Sequence, residues 1–298
     1  MRITVAGGGV VGLSCAYRLA EAGHSATVVT AGKPAETTSA VAGGLIYPPV
    51  ARPDERVVRW TGTTVGVYRS LLAAPGIRFL PGWIRVPEEV PDPRWLTAMT
   101  DVSREGSVLA FTTALVDTPV YLTWLAEQVA ALGVRTEYRT VASPADLDAD
   151  VVVNATGLAG GTLAGDDTLV PVRGQVVHLA DPGLTSWSVE EADGDLTYVI
   201  PHGRHVVCGG TEEIGRNDLE PDSAVAAAIV RRCRELEPRL ADAVVLGTRV
   251  GLRPGRPSVR LERVGDVIHC YGHGGAGITL AWAARRTWLR SSRAGRAG

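Results

Sequence analysis

The residues whose spacing most directly implies chemistry are glycines. Gly7-Gly8-Gly9-Val10-Val11-Gly12 places glycine at its first, third and sixth positions. In a strand-to-helix turn the first permits the tight turn, the second lets the backbone approach a pyrophosphate, and the third packs helix against strand. The helix N-terminus then faces the ligand's negative charge. Near the other end, Gly272-His273-Gly274-Gly275-Ala276-Gly277-Ile278-Thr279 is a second glycine-rich run. Thr37-Thr38-Ser39-Ala40-Val41-Ala42-Gly43-Gly44-Leu45, followed by Tyr47-Pro48-Pro49, is small and hydroxyl-rich, which keeps amides and hydroxyls free for phosphate or a flat ring. Two glycine turns at opposite ends of the chain imply that its termini meet around one dinucleotide.

The elements that position these turns follow from periodicity. Arg2 to Ala6 is a short apolar strand, Leu13, Ala16, Leu19 and Ala20 recur at helical spacing up to Gly23, and Ala26 to Val29 is a strand again, a β-α-β unit. The pattern then becomes mixed, with a helix over 59–73, strands near Ile77-Phe79 and Trp83-Val86, and a turn at Pro91-Asp92-Pro93. Thr118 caps a helix with Pro119 at its first position and a buried stripe of Leu122, Leu125, Val129 and Leu132, in which Tyr121 and Trp124 are packing residues. Strands follow at Val134 to Val141 and Asp150 to Gly157. The second of these, Val151-Val152-Val153 closed by Asn154-Ala155-Thr156-Gly157, suits the carboxyl edge of a doubly wound sheet. Val170 to Leu179, Tyr198 to Ile200 and Val206 to Cys208 read as a second, antiparallel-leaning sheet, with Glu190 to Gly194 an acidic turn. Asp222 or Ser223 caps a helix ending near Pro238, and the strand Val267 to Tyr271 leads into a last helix through Trp282 to Trp288 and a frayed tail over 291–298.

With 298 residues the chain is long enough for two compact domains. A net charge of −2 gives no field for polyanions, so nucleic acid is not an expected partner. No 18-residue uncharged apolar stretch and no leader pattern is present, so no membrane partner and a cytoplasmic location are expected. Cys15, Cys208, Cys233 and Cys270 lack metal-ligand spacing and read as reduced packing residues. No Ser-His-Asp set, metal cluster or carboxylate pair demands other chemistry.

The motifs become specific in combination. Val5 to Leu13, Val41-Ala42-Gly43-Gly44-Leu45, Pro91-Asp92-Pro93-Arg94-Trp95, Asp150 to Gly157, Arg173-Gly174-Gln175, Gly251-Leu252-Arg253-Pro254-Gly255-Arg256-Pro257 and Tyr271-Gly272-His273-Gly274-Gly275 occur in this order. Taken together, the sequence resembles the D-amino-acid oxidase family of FAD-dependent amine oxidases over nearly its whole length. The resemblance implies an α/β fold, with a Rossmann-type FAD-binding domain from residues 1–50, 134–168 and 249–298 and an interleaved mixed-sheet substrate domain from 51–133 and 169–248. It implies non-covalent FAD and oxidative deamination of D-amino acids by hydride transfer to the flavin, giving a 2-oxo acid, ammonia and hydrogen peroxide. Arg253 would hold the substrate carboxylate, Tyr198 would make its second bond, and the Gly275 carbonyl would receive the amine. A planar guanidinium suits that first task, because it makes two parallel charge-assisted bonds and stays charged when buried. Cofactor contacts are implied for Gly7, Gly9, Val10, Val11, Gly12, Thr30, Thr38, Ser39, Gly43, Gly44, Leu45, Val141, Thr156, Gly157, Arg253, Gly274, Gly275, Gly277, Ile278 and Thr279. His273 is expected as a structural donor on the flavin side, and Arg256 and Arg260 as solvated arginines.

The sequence departs from the family pattern in places. The second strand ends Val28-Val29-Thr30-Ala31-Gly32 with no acidic residue for the adenosine ribose, leaving Thr30 to meet it. The loop before Tyr198 is short and has no second tyrosine, and Tyr47 stands where animal enzymes carry glutamine. Gly275 after His-Gly, with no second arginine evident for a side-chain carboxylate, points to neutral D-amino acids. Glycine or sarcosine oxidation, and a flavin-binding protein without oxidase turnover, are the alternatives. A homodimer is the expected assembly.

Overall fold

The computed structural model describes residues 1–48, 51, 54–192 and 195–283. Among them, fifteen strands form two sheets. The first begins with β1 (Arg2–Ala6), crosses through α1 (Val10–Glu21) and returns as β2 (Ser25–Thr30), parallel to β1. Val10, Leu13, Ala16 and Leu19 bury one stripe of α1. The chain leaves and comes back twice more, as β6 (Arg135–Tyr138) and β7 (Val151–Asn154), and as β14 (Arg260–Val264) and β15 (Val267–Tyr271). The resulting order is β14-β15-β7-β1-β2-β6. All four residues of β7 are buried, as expected for a central parallel strand covered on both faces.

The second sheet contains β3 (Ile77–Arg85), β4 (Thr100–Glu105), β5 (Val108–Val116), β8 (Val170–Ala180), β9 (Trp187–Ala192), β10 (Asp195–Pro201), β11 (His205–Gly209), β12 (Glu213–Ile214) and β13 (Val245–Gly255). Its pairings are antiparallel except β3 with β9, so it is a mixed sheet. The long β8 carries β13 on one side, and β11 and β12 on the other. Helices α2 (Asp54–Ser70), α3 (Thr118–Ala131) and α5 (Ser223–Leu236) cover the sheets, and α4 (Gly160–Ala164) and α6 (Gly277–Leu280) are single turns. The fold is therefore α/β, with a doubly wound sheet and an interleaved mixed sheet. No helix among the described residues is long and apolar enough to cross a membrane.

Several local expectations change. The two strand pieces near 77–79 and 83–86 are one strand, because Pro81 and Gly82 both stay paired with β5 and the Trp187 indole fills the space where a Gly82 side chain would be. The β4–β5 hairpin was not expected from the sequence; β5 is buried at five of its last six positions and so lacks an alternating signature. Asp117, not Thr118, is the N-cap position of α3; the Thr118 hydroxyl instead donates to the Ala42 carbonyl at 3.1 Å, and Leu132 is exposed. The turn at Pro91-Asp92-Pro93 is irregular chain following a turn at 88–89. Glu190 lies in β9 rather than in a turn. The expected boundary between 248 and 249 falls inside β13, which belongs to the second sheet as far as Gly255. Asp222 does cap α5, accepting from Ala224 N at 2.8 Å. Pro49, the turn residues Asp193 and Gly194, the helix over 284–288 and the tail lie outside the described residues.

Candidate active site

The first turn is built by close packing. A side chain at Gly12 would overlap the Gly7 carbonyl oxygen, and Gly7, at φ 116°, faces the Ala155 carbonyl. At Gly9 the one side chain near the absent Cβ is Ser39, whose Oγ approaches to 3.0 Å, so a side chain at 9 would crowd that hydroxyl. That hydroxyl accepts from Val10 N at 3.1 Å. Helix geometry gives the Val11 and Gly12 N–H groups no intrahelical acceptor, so they remain for a ligand's phosphates. On the β2 side, the Thr30 side chain lies against Gly8, and its hydroxyl donates to Gly32 O at 3.1 Å. Val141 packs against the small cluster of Ala6, Val29, Leu147 and Val152. Thr156 donates to Asn154 Oδ1 at 2.8 Å beside Gly157, on the turn after β7.

The second turn arrives at the same place. Gly277 points its absent Cβ at Val10 Cγ1, 4.0 Å away, so the two glycine runs touch. The Ile278 carbonyl accepts from the Tyr68 hydroxyl at 3.2 Å, and the Thr279 hydroxyl donates to Tyr47 O at 3.1 Å. The 37–45 run lies alongside both. Thr38 and Val41 pack on Gly251 of β13, Leu45 bridges to Leu115, and the Gly44 carbonyl accepts from Val116 N at 2.9 Å. A Cβ at Gly43 would lie 3.5 Å from the Tyr198 ring and 2.8 Å from Ile200 Cδ1, so Gly43 backs onto both side chains, and its carbonyl meets His202 Nε2 at 2.9 Å.

Tyr198, Arg253 and Gly275 converge from three elements. Arg253 on β13 lays its guanidinium over the Gly174 backbone of β8 and donates through Nη1 to Thr211 O at 2.9 Å. Its Cδ is 3.8 Å from where a Gly275 Cβ would sit. The Gly274 turn is open, with nothing within 4 Å of its absent Cβ. Tyr198 lies on the Gly209–Gly210 backbone with its hydroxyl toward Arg253. Burial pushes the phenol up while the guanidinium partly offsets that, so the hydroxyl stays a neutral donor. A carboxylate placed there would meet a cation and a hydroxyl together.

The structure also places residues to which the sequence reading gave no role or a different one. Arg173 is fully buried and donates to Glu213 Oε2 at 2.6 Å and to the Glu220 carbonyl, fixing the loop that presents Thr211. Its only sequence signal was the Arg-Gly-Gln motif. Arg256 and Arg260 are not solvated: with Tyr271 they surround Asp166, at 3.0 Å from Arg256 Nε and 2.9 Å from the Tyr271 hydroxyl. The Thr168 hydroxyl first, then Tyr271 and Arg256, hold the Asp166 carboxyl below the usual carboxylate range. This set anchors the strand end from which the second turn springs. His273 is buried and its side chain meets the Cys270 thiol. All four cysteines are buried and unpaired.

Comparison with known proteins places the chain in context. Residues 2–287 match the family described as FAD dependent oxidoreductase (DAO). The chain is 41% identical over 302 residues to a D-amino-acid oxidase of Rubrobacter xylanophilus, covering 94% of this chain and 92% of that protein. It is 41% identical over 305 residues to a D-amino-acid oxidase of Streptomyces coelicolor, covering 97% and 95%. A human D-aspartate oxidase is 33% identical over 315 residues, covering 94% and 91%. The fold matches a glycine oxidase from Geobacillus kaustophilus with TM-score 0.77 and 18% identity, over 95% of this chain and 92% of that one.

Proposed function

The chain belongs to the DAO family of FAD-dependent oxidoreductases, and on that premise we propose that it oxidatively deaminates neutral D-amino acids to 2-oxo acids, ammonia and hydrogen peroxide. The observation that carries this reading is the convergence of Arg253, Tyr198 and Gly275 beside the point where the two glycine turns touch. The residues fit FAD. The Gly9 cradle, the Val11 and Gly12 amides and Ser39 suit its pyrophosphate, while Gly43, Gly44, Leu45 and the 274–279 turn line the way to the substrate residues. FAD, when bound, supplies the chemistry that side chains lack, taking a hydride from the substrate α-carbon and passing the electron pair to oxygen as hydrogen peroxide.

The protein's share is binding and orientation. Arg253 and Tyr198 bind the carboxylate, and the Gly275 carbonyl accepts from the amine, so three fixed contacts present one face of the α-carbon. The Gly174 platform and the Thr211 carbonyl keep the guanidinium from swinging away. The amine enters unprotonated, so no protein base is required. The imino acid left behind hydrolyses to the 2-oxo acid. The Cys270 thiol, buried against Cys15 and His273, supports non-covalent FAD, which acid should release.

The neutral preference rests on charge around Arg253. Arg232 bonds Thr197 Oγ1 at 3.1 Å and Gly210 O at 3.4 Å. Thr197 and Tyr198 are adjacent on β10 and point to opposite faces, so Arg232 lies behind the site. A peroxide-coupled panel tests this: D-alanine, D-valine or D-methionine should be turned over faster than D-aspartate, glycine and sarcosine. Faster turnover of D-aspartate would overturn the neutral preference, and faster turnover of glycine or sarcosine would overturn the D-amino-acid reading. The four free thiols support a reducing, cytoplasmic location. The exposed run Val244, Val245 and Leu246 supports a homodimer, for which light scattering should give twice the 31.4 kDa of one chain.

A further inference from the structure

A dinucleotide fold holds the adenosine ribose with a carboxylate at the end of its second strand, about 20 residues beyond the glycine turn. Here that position is Ala31-Gly32, and the Thr30 hydroxyl is turned to the Gly32 carbonyl at 3.1 Å. Resting on the FAD reading above, we propose that Glu36 is the ribose-binding carboxylate, supplied from a turn beyond the strand instead of from the strand itself.

Four observations place it. Residues Pro34–Glu36 form a 3-10 turn in which Glu36 N bonds Lys33 O at 2.9 Å and Lys33 N donates to Glu36 Oε2 at 2.8 Å. This reciprocal cap folds the side chain back over the strand end. Its Oε2 comes to rest 2.7 Å from where a Gly32 Cβ would be, so the carboxylate occupies the space in which a side chain at 32 would begin. Any such side chain would exclude it. The Thr30 hydroxyl, which donates to the Gly32 carbonyl at 3.1 Å, also meets Gly8 of the cradle, with Oγ1 2.7 Å from its absent Cβ, so Gly32 is tied to the cradle through Thr30. The carboxylate thus stands on the cradle side of β2. Finally, Lys33 N holds Oε2, while Oε1 has no protein partner among the described residues and the side chain is exposed. One oxygen is fixed and the other is available to accept from ribose hydroxyls.

The test is ligand binding by the acid-released apoprotein, with flavin fluorescence for FAD and FMN and calorimetry for ADP. Glu36→Gln, which keeps the size and removes the charge, should weaken FAD and ADP by about 10-fold, and Glu36→Ala by about 10- to 100-fold. FMN, which has no adenosine ribose, should bind all three proteins alike. Unchanged FAD and ADP affinity in Glu36→Gln would overturn the assignment. An equal loss for FMN would also overturn it, because it would mean that Glu36 only shapes the turn. Wild-type protein that takes up no FAD would sink the FAD reading itself, whereas FAD-loaded wild type with unaffected variants sinks Glu36 alone.

Discussion

With the substrate carboxylate held as proposed by Arg253 and Tyr198, their chemistry predicts unequal shares. Removing a charged partner from a buried carboxylate costs about 2–5 kcal/mol, so Arg253→Ala should lower kcat/KM by roughly 30- to 5000-fold, mainly through KM. Tyr198→Phe removes one neutral donor, worth about 0.5–1.5 kcal/mol, or roughly 2- to 13-fold. Arg253→Lys should fall between the two, since an ammonium keeps the charge but not the planar fork that lies on the Gly174 backbone. In all three variants the flavin spectrum of the purified protein should persist, because the Gly9 backbone, the Val11 and Gly12 amides and Ser39 of the cradle are unchanged. Steady-state kinetics beside absorbance checks both halves, and unchanged kinetics in Arg253→Ala would remove the carboxylate role. Residue-scale legibility was uneven for a physical reason. Arg253 and Gly275 sit in motifs with fixed spacing, whereas the Thr211 carbonyl and the buried Arg173 act through a loop brought in by strand pairing, which no local spacing reveals.

At the scale of elements, β8, β10 and β11 bring three histidines together beside the Gly43 loop. The His178 and His205 rings stack at 4.8 Å, and His202 lies 5.2 Å from His205 while meeting the Gly43 carbonyl. Burial first, then neighbouring charge from His205 and Arg249, pushes His178 down to about 4. Burial likewise pushes His202 to about 4, partly opposed by the Gly43 bond and Asp117. The unfolded chain therefore binds more protons between pH 6.5 and about 4, and stability falls as pH drops through that window. The loss should be on the order of 2–4 kcal/mol. Urea melts at pH 7 and pH 4.5 should show it, and His178→Gln should flatten the slope. A flat wild-type profile between those values would contradict the buried neutral cluster. None of this was evident from the sequence, because residues 178, 202 and 205 meet only through antiparallel register. The β-α-β start and the return strands were legible because their periodicity is local and their strands end in glycine or small polar residues. The β4–β5 hairpin and the unbroken β3 were not, since burial on both faces erases alternation and Pro81 imitates a strand end.

At the scale of the whole molecule, the first helix and the last described turn of the chain pack against each other. Val10 touches the Gly277 turn, Trp282 packs edge-on to Tyr17 at 5.5 Å and lies under the Arg18 guanidinium at 5.0 Å, and its indole N–H donates to Tyr121 at 3.1 Å. The second sheet contributes β13, which carries Arg253 to the same turn. FAD bound as proposed would meet pieces from the first turn, the last turn and both sheets, so its binding energy would be shared by the entire fold. Linkage then sets the size of the effect: at 100 times its Kd, FAD adds about 2.7 kcal/mol to unfolding. For a chain of 298 residues that corresponds to a rise of about 4 °C in Tm. ADP reaches only the N-terminal cradle and leaves the C-terminal turn without a partner. At equal free concentration it should therefore raise Tm less than FAD does, and both ligands should shift a single transition. An ADP shift as large as that of FAD would mean that the Gly272 to Thr279 run contributes no affinity, and the two-ended grip on the cofactor would have to be abandoned.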